Sequence, residues 1–283
     1  MWLRRRGYPA GARRALLPGD APRRGAAGGA AMSDRCTVSG GTTARRMIAE
    51  DDVELWWTPL TGECTAQDRH VLSAAELERS TRFGAARFTG DFIRIRAALR
   101  RVLAAYTGAA AEALEFTAGE YGKPELTGYT VPFNLSHTTG RAVIAVAGAG
   151  AVGVDLESLD ADFDQDGLTA RVLTRSEAER VGTDRRRFLQ HWVAKESYLK
   201  WLGNGLTIAP DTLELGVDAH GHTVVTGVDG VDLPTGYVHR FGLSSRHVGA
   251  FVGHRPVRRF PLRRAESVGA SAYFGRRSAG VQA

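Results

Sequence analysis

The order of the periodic segments constrains the fold more than any other feature, because one succession of patterns occurs twice. After Asp51 the chain shows a strand pattern, helical patterns and short strand patterns, and the same order returns after Gly150. No close sequence repeat accompanies this order. We therefore predict an α+β fold of two comparable halves that join near Gly150.

In the first half, Ser73 and Glu76 have the spacing of a capping box, in which each side chain accepts a hydrogen bond from the other residue's backbone N–H. This spacing predicts the start of a helix. Over Thr89–Ala105, apolar residues recur at helical spacing and predict a second helix. The predicted strands of this half are Val53–Trp57, Phe133–Leu135 and Ala142–Val146.

The second half contains the longest predicted helix after the join, Arg185–Leu202, which Gly203 ends. A shorter helix is predicted over Thr174–Arg180. A strand over Gly153–Leu156 opens this half, and further strands alternate with Gly and Asp turns over Leu213–Val252.

The formal net charge of +6 belongs to one end of the chain. Residues 1–30 hold seven Arg and one Asp, so the remainder is balanced and does not indicate a nucleic-acid-binding surface. We predict a disordered basic arm over residues 1–46, the two halves over 47–150 and 151–257, and a disordered tail over 258–283. Binding of polyanions by the arm is the alternative to a passive arm.

Nothing in the chain has the pattern of a membrane or secretory segment. The longest apolar run, Ala142–Val154, is too short and too Gly-rich to span a bilayer, which needs roughly 20 residues. Only two cysteines, Cys36 and Cys64, occur in a chain long enough to need no disulfide. We expect a cytoplasmic protein that has no membrane association.

Two carboxylates lie close together on the strand that opens the second half. Asp155 and Glu157 are two residues apart and so share one face of that strand. Adjacent carboxylates repel unless a cation lies between them, and a hard divalent ion prefers oxygen ligands. The alternative, which this pattern alone favours, is an exposed strand end with two solvated acids.

A third carboxylate lies within the apolar stripe of the helix Arg185–Leu202. Glu196 lies between Trp192 and Leu199 in this stripe. A carboxylate that is buried there needs a partner. Lys200 lies one turn further along the same side. A simple Glu–Lys pair at the edge of the core is the alternative to a functional role.

Lysine is rare, with Lys123, Lys195 and Lys200 the only three among 37 basic residues. A compact ammonium can serve as a point charge on phosphate, which gives weight to Lys123 and Lys200. Lys195 lies off the apolar stripe and is expected to be solvated. Ser136 and His137 follow a strand and favour a phosphate-holding corner over a Ser/His hydrolase, with a surface histidine as the further alternative.

Four segments occur in a characteristic order. They are Glu120-Tyr-Gly-Lys-Pro124, Phe133-Asn-Leu-Ser-His137, Val152-Gly-Val-Asp-Leu-Glu157 and Trp192-Val-Ala-Lys-Glu-Ser-Tyr-Leu-Lys200. Together they resemble the signature of the 4′-phosphopantetheinyl transferases of the surfactin-synthetase-activating, monomeric type, over about Leu72 to Ile208. The resemblance implies two similar halves packed as a pseudo-dimer, with coenzyme A in the cleft between them.

The resemblance also implies an activity and roles for individual residues. It implies Mg²⁺-dependent transfer of 4′-phosphopantetheine from coenzyme A to a carrier-protein serine, with release of adenosine 3′,5′-bisphosphate. Asp155, Glu157 and Glu196 are implied to hold Mg²⁺, and Glu196, Glu157 and Lys200 to act in catalysis. Residues 118–122 are implied to border the adenine. The implied coenzyme A contacts are Arg79, Lys123, Ser136, His137, Asp155 and Lys200.

The implied partner is an apo acyl or peptidyl carrier protein of fatty-acid, polyketide or nonribosomal peptide synthesis. Carrier proteins are usually acidic, so exposed arginines are docking candidates, although an ordinary solvated helix face is the alternative. A Mg²⁺-dependent hydrolase of coenzyme A or a nucleotide, and a module that binds nucleic acid through the basic arm, are the other functions considered. The docking candidates are Arg94, Arg100 and Arg185–Arg187.

Overall fold

The computed structural model describes residues 45–119, 123–203, 208–228 and 232–268. The predicted arm up to residue 44 and the last part of the predicted tail lie outside the described residues. Within the described ranges, no helix combines the length and the apolar character needed to cross a bilayer.

The first half begins with a capped helical layer, as predicted. Ser73 is an N-cap whose side chain accepts from the Glu76 N–H, and Glu76 reciprocates, which confirms the capping box. The long helix is two to three residues longer at each end than predicted and ends at Gly108, where φ is 78°. In chain order the elements are β1 (Val53–Pro59), α1 (Ala66–His70), α2 (Ala74–Thr81), α3 (Ala86–Thr107), β2 (Phe116–Ala118), β3 (Pro124–Leu126), β4 (Phe133–Thr138) and β5 (Arg141–Ala147).

The second half repeats the order strand, helices, strands. Its longest helix has the limits predicted from the sequence and ends at Gly203 in a left-handed conformation. The elements are β6 (Gly153–Ser158), α4 (Gln165–Val172), α5 (Arg175–Val181), α6 (Arg185–Leu202), β7 (Leu213–Val217), β8 (Thr223–Gly227), β9 (Gly236–Phe241) and β10 (His247–Gly253).

The two halves share one pairing scheme, although their sequences show no repeat. In each half the opening strand pairs antiparallel with the last strand of that half, so β1 pairs with β5 and β6 pairs with β10. The strand before the last then extends the sheet, as β4 beside β5 and β9 beside β10. The prediction of an α+β chain with two similar halves is therefore confirmed.

The halves pack on each other through a common apolar core. Val53 and Leu55 of β1 and Val143 of β5 form one cluster with Val154 and Leu156 of β6. Because β4 and β6 are the outermost strands of their respective sheets, each presents an edge to the other half. The side chains of β6 that face away from this core are Asp155 and Glu157.

The prediction of a disordered tail from residue 258 is wrong for residues 258–268. A further strand, β11 (Leu262–Arg264), pairs parallel with β1 and completes the first sheet. After it, Ala265 is buried in the core of the first half and Glu266 accepts a hydrogen bond from the Thr58 hydroxyl, 2.8 Å away. The chain therefore returns from the second half to the first, where β11 pairs with the edge of β1 that β5 leaves uncovered.

Candidate active site

Gly153 allows α6 to lie directly on β6. A Cβ atom at this position would lie 2.0 Å from the Ser197 carbonyl oxygen and 2.4 Å from the Trp201 backbone nitrogen. Only glycine fits this approach, since real Cβ contacts are much longer. The close crossing brings the residues of α6 onto the face of β6 that carries Asp155.

Asp155 is the most heavily engaged acid of the site. Its side chain is buried, and Oδ1 accepts hydrogen bonds from the Ser136 hydroxyl at 2.7 Å and the Lys200 ammonium at 2.6 Å. The other oxygen, Oδ2, is buried and has no hydrogen-bond partner in the described part of the chain. A buried carboxylate oxygen without a donor is costly, so this atom is suited to bind a further cation or donor.

Glu157 and Glu196 add two acids whose charges act on Asp155 and on each other. Burial, with the nearby Asp155 carboxylate, raises the pKa of Glu157 to about 7. Burial also raises the pKa of Glu196 to about 7, again with Asp155 as the main charged neighbour. The region therefore carries more negative charge than its protein cations balance.

Lys200 supplies a cation, and it does so in a way that the helical spacing did not predict. Its ammonium donates to the Val154 carbonyl oxygen at 3.0 Å and to Asp155, so its ion pair is with β6 and not with Glu196 on its own helix. Lys123 reaches the same helix end, where its ammonium donates to the Lys200 carbonyl oxygen at 3.3 Å. Burial and the Lys200 charge lower the pKa of Lys123, while Glu125 opposes the shift.

The structure brings together most of the predicted site residues, but not all of them. Ser136 is buried against Asp155, whereas the next residue, His137, has an exposed side chain on which the charges of Lys200 and Asp155 still act. Arg79 is exposed on α2, with its guanidinium 5.7 Å from the ring centroid of Phe92. No contact of Arg79 with the acids or lysines of the site is found among the described residues. In the segment expected to border the adenine, residues 120–122 lie outside the described residues.

The prediction that Lys195 is solvated is wrong. The side chains of Lys195 and Glu177 are both fully buried and form an ion pair. The ammonium also donates to the Val172 carbonyl oxygen at 2.7 Å, and Glu177 accepts from the Leu215 N–H at 2.9 Å. The pair therefore joins α6 to α5 and β7 on the side away from the acids.

The docking prediction for Arg100 is also wrong, because its side chain is 2% exposed and bonds Glu76 at 2.7 Å. Arg94 is largely covered beside Asp91, and Arg185 donates to the Leu159 carbonyl oxygen. The two exposed arginines among the docking candidates are Arg186 and Arg187.

The three acids lie near one another, but their carboxylate oxygens do not converge on a single point. In the described ranges, no three His, Cys, Asp or Glu side chains are already spaced to hold one metal ion. The donor set nevertheless fits a hard divalent cation, because it offers carboxylate oxygens only, with Oδ2 of Asp155 buried and free of donors. Burial, and after it the charge of Asp155, raises the pKa of both Glu157 and Glu196, and a bound cation would offset this cost of ionisation.

Sequence reasoning missed two further contacts of the site. Thr138 is buried and its hydroxyl donates to Glu157 Oε2 at 3.1 Å, while Asn134 Oδ1 accepts from the Val154 N–H at 2.9 Å. With Ser136 they occupy alternate positions of β4, and that polar alternation was the available signal.

Comparison with known proteins agrees with this arrangement. The family model described as the 4′-phosphopantetheinyl transferase superfamily matches residues 151–249, which contain β6, α6 and all three acids. The 4′-phosphopantetheinyl transferase HetI of Nostoc sp. is 32% identical over 170 residues, which cover 56% of this chain and 72% of that protein. The L-aminoadipate-semialdehyde dehydrogenase-phosphopantetheinyl transferase of Candida glabrata is 35% identical over 108 residues, 34% of this chain and 41% of that protein.

Among solved structures, the holo-ACP-synthase of Plasmodium yoelii is similar with a TM-score of 0.29 and 15% identity, over 36% of this chain and 90% of that one. That likeness is too weak to add to the argument. The match to the Nostoc protein extends over most of that protein's length, and the family match spans the acidic cluster. The chain therefore belongs to the 4′-phosphopantetheinyl transferase superfamily of enzymes.

Proposed function

We propose that this enzyme transfers 4′-phosphopantetheine from coenzyme A to a serine of an apo acyl or peptidyl carrier protein, with Mg²⁺, and releases adenosine 3′,5′-bisphosphate. We assign it to the surfactin-synthetase-activating type and expect a cytoplasmic monomer. One observation carries the proposal: Asp155, Glu157 and Glu196 interact electrostatically at the crossing of β6 and α6, with Lys200 against them. A polyphosphate with its divalent cation suits such a mixture of charges.

The three carboxylates are the residues that would hold Mg²⁺. When bound there, the ion would supply a Lewis acid that neutralises charge on the pyrophosphate of coenzyme A. Asp155 already has one oxygen fixed by Ser136 and Lys200, and its second oxygen is free for such a ligand.

Basic residues of both halves would bind the anionic parts of coenzyme A. Lys200 lies beside the acids, where its ammonium can contact the pyrophosphate, and Lys123 lies at the same helix end. We propose that Lys123, Ser136 and His137 hold phosphates of coenzyme A, notably the 3′-phosphate, and that Arg79 is a further coenzyme A contact. The hydroxyl of Ser136 would have to exchange or share its bond to Asp155 in order to reach a phosphate.

Transfer requires that the carrier serine loses its proton as its oxygen attacks the β-phosphorus. We propose that Glu196, or Glu157 through a water, accepts this proton. Phosphoryl transfer depends mainly on alignment and charge neutralisation, and a general base adds about 10²–10⁴-fold. The bond between the β-phosphorus and the oxygen that bridges the two phosphorus atoms breaks, and that oxygen leaves as part of adenosine 3′,5′-bisphosphate.

Arg186 and Arg187, which are exposed at the start of α6, are the docking residues that we propose for an acidic carrier. Substitution of both by Glu is expected to raise the KM for the carrier about tenfold and leave kcat little changed. Arg175→Glu, at a side chain that is 95% exposed on α5, is the control and is expected to leave KM unchanged. An unchanged KM in the double variant would reject this docking surface.

The test of the proposed function is mass spectrometry of a panel of apo carrier proteins incubated with coenzyme A and Mg²⁺. We expect one carrier to gain one phosphopantetheine with the natural enzyme and Glu196→Gln to lose at least about 10²-fold in rate. Glu179→Gln, at an exposed acid of α5, is the matched control and should be as active as the natural enzyme. Near-normal activity of Glu196→Gln would remove the role of this residue, and release of pantetheine phosphate without any carrier would indicate a hydrolase.

A further inference from the structure

One face of β4 consists of three polar side chains that all bond β6 across the contact between the halves. Asn134, Ser136 and Thr138 are each 6% exposed and occupy alternate positions of the strand. Burial of three polar side chains in a row costs free energy unless each is paired, and each has its partner on β6. The row is therefore a polar contact between β4 and β6 in which every one of the three side chains is hydrogen-bonded.

The partners of these three side chains follow one another along β6 in the same order as the row along β4. Asn134 binds the backbone of Val154, Ser136 donates to Asp155 Oδ1, and Thr138 donates to Glu157 Oε2. The first contact fixes the backbone, while the other two each fix one carboxylate. In both of these contacts the hydroxyl donates to a single carboxylate oxygen.

Each hydroxyl engages only one oxygen of its carboxylate. For Asp155 the second oxygen is buried and has no donor within the described residues. Asp155 accepts hydrogen bonds at one oxygen and, over the ranges that the structure describes, has no partner at the other. This is the arrangement of a metal-binding carboxylate that a hydrogen bond orients.

We propose that Thr138 is a positioning residue: its hydroxyl orients Glu157 toward the divalent cation, as the Ser136 hydroxyl orients Asp155. This inference rests on the proposed Mg²⁺ role of the acids and extends it to the opposite half of the molecule. Through Thr138 the first half thereby contributes to the metal site without contacting the cation or the substrate itself. If Thr138 only joined the halves, removal of its hydroxyl would lower stability and leave the affinity for the metal ion unchanged.

The test measures Mn²⁺ binding by electron paramagnetic resonance in the presence of coenzyme A. Thr138→Val removes the hydroxyl at nearly constant volume, and we expect the dissociation constant for Mn²⁺ to rise about tenfold. Thr138→Ser restores a hydroxyl and is expected to remain within about twofold of the natural protein. Thr138→Ala, which introduces no bulk, is the second variant if the valine variant does not fold.

Thr58→Val is the matched control, because Thr58 is also buried and its hydroxyl also donates to a carboxylate, Glu266, away from the site. It is expected to lower the melting temperature without changing Mn²⁺ affinity. Mn²⁺ affinity that is unchanged in Thr138→Val and Thr138→Ala overturns the positioning role and leaves the proposed function intact. Failure of the natural protein to bind Mn²⁺ with coenzyme A would overturn the metal assignment and this proposal together.

Discussion

At the scale of single residues, helical spacing predicted the position of Glu196 and failed for Lys195. Periodicity identifies one buried face, and Glu196 lies in it. However, α6 is buried continuously from Trp192 to Leu199, because β6 and β10 cover one side and α4 and β7 pack elsewhere on the helix, while Glu177 of α5 pairs with Lys195. A lysine at the far side of the stripe is therefore buried, and only a partner outside the helix, Glu177, could have indicated this.

The buried pair of Lys195 and Glu177 predicts a large loss of stability when one partner is removed. Lys195→Met leaves Glu177 charged and fully buried, and we expect the free energy of unfolding to fall by about 3–5 kcal/mol. Removal of both charges in Lys195→Met with Glu177→Leu should recover most of the loss. Urea denaturation measures both values.

The exposed pair of Arg175 and Glu179 is the control for this measurement. Its side chains are 95% and 69% exposed, so Arg175→Ala is expected to change the free energy of unfolding by less than about 0.5 kcal/mol. If Lys195→Met and Arg175→Ala lower the free energy of unfolding equally, Lys195 and Glu177 do not form a buried ion pair.

At the scale of elements, the limits of α6 and the capping box of α2 followed from the sequence, whereas the crossing of α6 over β6 did not. The crossing depends on the absence of a side chain at Gly153, and a glycine in a strand pattern does not reveal which backbone approaches it. Local propensity thus predicted the elements, while contacts between distant segments determined how they meet.

Gly153→Ala is expected to displace α6 from β6, because the new Cβ would lie 2.0 Å from backbone that cannot move alone. We expect a destabilisation of about 2–4 kcal/mol and a fall in transfer rate larger than the loss of folded protein explains. Gly216→Ala is the matched control, because Gly216 lies within β7 and its Cβ would meet nothing within 4 Å. Thermal unfolding and the carrier assay on the soluble protein separate the two effects, and similar behaviour of both variants would argue against the close crossing.

The contact of α2 with α3 predicts a pH dependence of stability. Burial alone would raise the pKa of Glu76, but Arg96 and Arg100 with the Ser73 N–H outweigh it and lower the pKa below its ordinary value of 4.5. Stability from the ionised carboxylate is therefore complete above that value and is lost as the pH falls through the lower folded-state pKa.

Glu76→Gln should accordingly cost about 2–3 kcal/mol at neutral pH, and the difference from the natural protein should shrink below pH 4.5. The measurement is the free energy of unfolding in urea across pH 3–7. Glu112→Gln, at an exposed acid, is expected to leave the curve unchanged. A cost at Glu76 that stays constant over this range would reject the ionised pair.

At the scale of the whole molecule, the repeated order of patterns predicted two similar halves, and the shared pairing scheme agrees with it. The burial of Glu196 and its need for a partner were also expected from the sequence, because a carboxylate within an apolar stripe must be paired. The return of the chain to the first half as β11 was missed. That strand has only three residues and all are exposed, so it carries no apolar alternation to detect.

Deletion of residues 258–283 is expected to destabilise the first half. It removes β11, the burial of Ala265 and the backbone hydrogen bonds that Val53 and Leu55 donate to residues 259 and 261. We expect a loss of about 2–4 kcal/mol in the free energy of unfolding. Deletion of residues 269–283 alone is the control, and equal stability of the two truncated proteins would contradict the role of β11.

The central claim is that Asp155, Glu157 and Glu196, which come from two separate segments, bind one divalent cation beside coenzyme A. The most direct measurement is an anomalous difference map from crystals grown with coenzyme A and Mn²⁺. We expect one strong peak that contacts all three carboxylates and the pyrophosphate. A peak bound elsewhere, or coenzyme A held by Lys200 with no metal near these acids, would contradict it.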